Sequence, residues 1–251
     1  MTFDVIATAR RRTRRLLLVV VAGLVVLLAA VCAAGLYSTA RLEDTPVLPV
    51  PTTTGTPAPA TAGGEAVPVV LPADVTWASV AGVALPVSET AGPHRREHGL
   101  ASGFAHTPTG ALLAAAHLLV NTTPQVGSDV FGPTLQTQVV GQHAPAMRAA
   151  VAADYRALGG ESAGGGPVGS LSAALAGVRM SAYAGNAATV DLLTVAVDST
   201  GTARFAVSLV DMAWTGSDWA LVAPPDGRWD GVVRAVTPSQ AAAYPPLGPG
   251  R

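Results

Sequence analysis

Leu16 to Leu36 is a run of 21 residues with no polar side chain other than the Cys32 thiol, and Arg10, Arg11, Arg12, Arg14 and Arg15 stand directly before it. An α-helix rises about 1.5 Å per residue, so the run reaches across a hydrocarbon core of about 30 Å. The arginine block is expected to stay cytoplasmic, which places the 215 residues after the span outside. The expectation is a single-pass membrane protein, with a cytoplasmic Arg-rich flank over 1–15, a transmembrane helix over 16–36 and an extracytoplasmic C-terminal domain.

Other readings of this segment fit less well. A cleaved signal peptide carries an apolar region of roughly 7–15 residues, although Ser38-Thr39-Ala40 offers a small-x-small cleavage site. A lipoprotein site at Cys32 is opposed by Val31, where a small residue is needed. Arg14-Arg15 followed by three leucines faintly resembles a twin-arginine signal, whose apolar segment is less hydrophobic. A buried core helix would not need five arginines at one end.

From residue 37 to 76 the chain is rich in Pro, Thr and Ala, with Thr52-Thr53-Thr54 and Gly63-Gly64 among the prolines. Proline removes backbone donors and no apolar period is present, so an extended linker is expected. Composition then excludes chemistry. The chain has no Lys, which rules out a Schiff-base lysine, a Ser-x-x-Lys nucleophile pair and a phosphate loop of the G-x-x-x-x-G-K type. Its single Cys rules out an intrachain disulfide and a cysteine-rich zinc site. Residues 37–251 hold ten Arg against fifteen acids, a balance of −5, so direct nucleic-acid binding by this part is not expected.

Residues 77–251 read as one domain, with a Pro- and Gly-rich tail from about 224. Thr107 and Pro108 predict the start of a helix that is apolar on nearly every face to Val120 and so buried. Second and third helices are expected over Ser128–Val140 and Ala144–Leu158, the latter with Met147, Val151, Tyr155 and Leu158 on one stripe. The period then changes. Strands are expected over Val178–Tyr183, Thr189–Val197, Arg204–Trp214 and Asp218–Val222, joined by turns at Gly185-Asn186, Ser199-Thr200-Gly201 and Thr215-Gly216-Ser217. In the third strand the apolar face shifts after Leu209, which predicts a bulge or sharp bend. The fold class is α+β: about three helices packed on a curved, four-stranded antiparallel sheet.

That order, with the hairpin Trp214-x-Gly216-x-Asp218-Trp219, resembles the nuclear-transport-factor-2-like cone fold. An Arg-flanked anchor, a linker and such a domain together resemble the bitopic proteins of Gram-positive conjugation channels and the corresponding inner-membrane component of type IV secretion systems. The stretch Gly103-Phe104-Ala105-His106-Thr107-Pro108-x-Gly110-Ala111 is similar to segments of uncharacterised actinobacterial mobile-element proteins. The resemblance implies membrane and channel proteins of a transfer apparatus as partners, and self-association as a further form of assembly.

The chemical candidates are few. His94 and His98 have the spacing of two metal ligands on a helix, but Arg95 and Arg96 between them repel a cation and Gly92, Pro93 and Gly99 oppose a helix, so no metal is expected. His117 lies in the apolar helix and is read as a hydrogen-bonded core histidine. Asp191, Asp211, Tyr183, Tyr155 and His117 would have to converge inside the cone to serve an isomerase-like enzyme. Asn121-Thr122-Thr123 matches the glycosylation pattern but carries no weight alone. The expected function is a non-enzymatic scaffold in conjugative DNA transfer or secretion, with no catalytic, cofactor-binding or metal residues and no cofactor. The alternative is a small-ligand binder or isomerase-like enzyme that uses the cone interior.

Overall fold

The computed structural model describes residues 67–249 with the exception of residue 98. The arginine flank, the apolar run over 16–36, Cys32 and the linker up to residue 66 lie outside the described residues. Among the described residues no helix is long and apolar enough to cross a membrane. The longest have 14 residues, which at the helical rise is about 21 Å, short of the hydrocarbon thickness. The expected single-pass membrane localisation, with its extracytoplasmic domain, is corrected accordingly: nothing among the described residues supports it.

The end of the Pro-rich stretch is tied to the domain. The Val67 N–H donates to the Met180 carbonyl at 3.3 Å, and Val67, Val69 and Leu71 pack on the main core. Strands β1 (Thr76–Val80) and β2 (Val83–Val87) follow as an antiparallel pair. Their two-residue loop has φ of 48° at Ala81 and 87° at Gly82, the geometry that matches strand twist in a tight hairpin. A second small sheet joins β3 (Arg95–Glu97) to β4 (Leu100–Ser102).

Helix α1 (Pro108–Asn121) begins as the sequence predicts. Thr107 Oγ1 accepts the Gly110 N–H at 3.1 Å, and Pro108 stands in the first turn, where its missing donor costs nothing. Ala111 to Ala116 and Leu118 are at most 1% exposed, so the helix is central. Helix α2 (Ser128–Thr137) ends three residues before its expected limit, because Val139–Val140 leave it as strand β5. Helix α3 (Ala144–Ala157) buries Met147, Val151 and Tyr155 of the expected stripe, while Leu158, its fourth member, caps the helix end and is only half-buried.

The meander is present as β6 (Ala173–Tyr183), β7 (Ala187–Val197), β8 (Ala203–Trp214) and β9 (Trp219–Val222). The sheet has six strands, however, and the expectation of four is corrected. Strand β5 runs parallel to β9, and β10 (Val233–Val236) pairs antiparallel with β8. Neither added strand has a readable period: β5 has two residues, and in β10 only Val236 is buried.

The apolar shift within β8 has a different cause from the expected bulge, since its register with β7 runs unbroken from Ala187↔Ala213 to Val197↔Ala203. Both faces of the sheet are covered. Val190, Leu192, Val210 and Met212 face the helices, whereas Leu193 and Val207 face a second, smaller core with Val236, Ala241 and Tyr244. The residues after 224 supply that cover through β10 and the short helix α4 (Pro238–Ala241). The irregularities lie in β6, between Leu175 and Gly177 and between Met180 and Ala182, where an extra residue bends the strand.

Candidate functional site

The two motifs singled out in the sequence meet. Asp218, at the turn into β9, accepts the backbone N–H groups of Gly103 at 2.6 Å and of Phe104 at 3.0 Å, together with its neighbour Trp219 at 2.9 Å. Gly103 has φ +79°, a conformation that favours glycine and that turns its N–H and the next toward one carboxylate. The Trp219 indole donates to the Ala105 carbonyl at 2.9 Å, which also accepts the Thr107 N–H at 2.8 Å. A Cβ at position 110 would collide with that same carbonyl, which accounts for Gly110. His106 lies flat on Trp214, with ring centroids 4.1 Å apart and planes 10° apart, and its Nε2–H donates to the Gly185 carbonyl at 3.2 Å. Trp214 meets Trp219 edge-on at 5.5 Å. The Asp218 and Trp219 bonds hold the entry of α1 to the β8–β9 hairpin, and the His106 bond holds it to the β6–β7 turn.

His117 is 1% exposed, with Phe104 5.7 Å from its ring and its Nε2–H donating to the Pro86 carbonyl at 2.9 Å. Burial is the main cause that pushes the imidazole down to about 4, against the opposing effect of that hydrogen bond. The ring is neutral at pH 7, and its assigned partner is a carbonyl. Asn121 and Thr122 are likewise buried, with the Thr122 hydroxyl donating to the Leu118 carbonyl at 2.7 Å, so the glycosylation pattern is the end of a packed helix.

On the opposite face of the sheet a polar network surrounds Asp191, which is 2% exposed. Its Oδ2 accepts from Arg179 Nη2 at 2.6 Å and from the Tyr244 hydroxyl at 3.3 Å, and its Oδ1 accepts from Ser181 at 2.6 Å. The Arg179 guanidinium lies over the Tyr244 ring at 4.8 Å. Hydrogen bonding to Asp191 holds Arg179 above the usual arginine range. Arg234 Nη2 donates to the same Tyr244 hydroxyl at 2.8 Å. The sequence pointed to Asp191 alone; its partners Arg179 and Ser181 come from β6 and Tyr244 from beyond β10, and no local pattern announces them.

The five groups an isomerase-like centre would need are not brought together. Asp191 and Asp211 alternate with Val190, Leu192, Val210 and Met212, so both point away from the helices that carry His117 and Tyr155. Asp211 is exposed and accepts from Thr189 at 2.7 Å, and Tyr155 donates to the Gly166 carbonyl at 2.9 Å. Tyr183 is 6.1 Å from Trp219. His94 precedes strand β3 instead of lying on a helix, and His98 is outside the described residues. Among the described residues no three His, Cys, Asp or Glu side chains are placed to hold a metal.

These observations define an α+β domain in which a central helix packs on one face of a six-stranded sheet and Asp218 and Asp191 anchor hydrogen-bond networks that tie distant segments together. Residues 40–243 match the family described as a domain of unknown function (DUF8175), and the chain belongs to that family. The comparisons with curated proteins and with solved structures gave no match. The matched residues contain both motifs, His117 and Asp191.

Proposed function

We propose that this domain is a non-enzymatic assembly module that positions other proteins, working in a conjugative DNA-transfer or secretion apparatus. The observation that carries the reading is the filled interior of the sheet. Val190, Leu192, Val210, Met212, Trp219 and Leu221 are each at most 1% exposed beneath Leu112, Leu113 and Leu118 of α1. A ligand or substrate in that position would have to displace packed side chains, each at a cost of about 2–5 kcal/mol. The separation of His117 and Tyr155 from Asp191 and Asp211 by the sheet supports the same reading, since acid–base chemistry needs such groups on one reacting atom. The setting in a transfer apparatus rests on the resemblance of the Arg-flanked apolar run, the linker and the domain, taken together, to proteins of conjugation channels.

Deleting residues 67–249 in the cell that encodes the chain tests the proposal. Plasmid transfer or secretion should be lost. Transfer at the wild-type frequency from the deletion strain would overturn it.

A further inference from the structure

We propose that Arg179 and Arg234 form an oxyanion-binding site on the sheet face away from the helices, taking a carboxylate or a phosphate group. Arg179 lies opposite Asp191 on the neighbouring strand and Arg234 opposite Val207, and residues directly across a ladder point to the same side. Both guanidinium groups converge on the Tyr244 hydroxyl, at 3.2 Å from Arg179 and 2.8 Å from Arg234, so their Nη2 atoms are no more than about 6 Å apart. Two cations held this close repel each other unless an anion joins them.

Asp191 neutralises one of the two. Among the described residues the ion pairs are Arg179 with Asp191 and Arg204 with Asp198, which leaves Arg234 without a carboxylate within 4 Å. Asp191 itself is committed: its side chain is 3% exposed and both its oxygens are bonded, to Arg179, Ser181 and Tyr244. Its effect is to fix Arg179, while that side chain stays 42% exposed. The Nε and Nη1 donors of both arginines have no protein partner among the described residues. The Arg179 guanidinium, ordered by the Tyr244 ring and the buried Asp191 carboxylate, loses little freedom on binding, and with Arg234, held by the Tyr244 hydroxyl, it presents planar donors to an oxyanion. The site lies outside the filled interior and does not depend on the assembly reading, since an anion titration has the same outcome whether or not the domain serves transfer.

The test is an NMR titration of the arginine Nε–H signals in the full chain, with inorganic phosphate in one arm and acetate in the other at constant ionic strength. The Arg179 and Arg234 signals should move together and saturate in the millimolar range. Saturation by phosphate alone identifies a phosphate site, and saturation by both identifies one that a carboxylate fills. The Arg234→Gln variant should abolish saturation at an unchanged melting temperature. Should that variant fail to fold, Arg234→Lys keeps the charge without the fork and should weaken phosphate binding about tenfold. Shifts that grow linearly without saturating, saturation that persists in Arg234→Gln, or unweakened phosphate binding in Arg234→Lys would each overturn the proposal as adventitious ion binding.

Discussion

Asp218 and Gly103 lie 115 residues apart in the chain and meet in a 2.6 Å hydrogen bond, the carboxylate accepting the backbone N–H. With the Phe104 N–H on its other oxygen, Asp218 turns two motifs into one joint. Replacing it by Asn puts an amide donor against backbone donors and removes the charge. D218N should destabilise the fold by about 1–3 kcal/mol. Urea unfolding checks this, as a lower midpoint with an unchanged slope.

Trp219 and Trp214 should separate in the same experiment. Trp219 is 1% exposed and Trp214 is half-buried under His106. W219A should cost about 3–5 kcal/mol and W214A clearly less. W219F, which keeps a ring but loses the donor to Ala105, should fall between W219A and wild type.

His117 sets a pH dependence. Its folded value of about 4 lies below the ordinary 6.5, so between those limits the unfolded chain binds a proton that the fold refuses. The stabilisation is complete above about pH 6.5, falls as the pH drops toward 4 and does not change further below it; the loss is on the order of 3 kcal/mol. Unfolding free energies of wild type and H117Q at pH 4, 5.5 and 7 give the difference that matters, because other groups titrate in both proteins. The difference should shift in wild type's disfavour as the pH falls, and parallel curves would exclude the buried neutral ring.

The Asp191 network should behave as a unit. D191N leaves Arg179 without its carboxylate, and because that side chain is 42% exposed the cost should be only about 1–3 kcal/mol. In a double-mutant cycle with Y244F the two losses should fail to add by more than about 0.5 kcal/mol, as for groups in one network. Additive losses would show that Tyr244 and Asp191 act separately.

Local signals account for what the sequence disclosed. Thr107, Pro108 and an apolar run are a helix start by short-range chemistry alone, and the hairpin turns of the meander are equally local. Strand β5 is held only by pairs across to β9, such as the Leu221 N–H to the Gln138 carbonyl at 2.9 Å, so its two residues look like the end of a helix. Strand β10 follows a Pro- and Gly-rich stretch that reads as a tail, yet Val236 and Tyr244 cover the outer side of β7 and β8. The face shift in β8 was visible, but its cause was a second core built from that supposed tail. Asp191 was visible as a polar residue in an apolar strand. Tyr244, 53 residues further on, and Arg234 become its neighbours only through the tertiary fold.

The central claim, that the domain works by assembly and not by chemistry, is tested most directly by transfer frequency in cells carrying D211N, Y155F or Y183F. Each variant removes one acid–base group and keeps the volume of the side chain. The account predicts transfer close to the wild-type frequency from all three, with the chain present at its normal amount and its melting temperature within a few degrees of wild type. Loss of transfer from any one of them, with amount and melting temperature unchanged, would contradict it and point to catalysis or ligand binding by that residue.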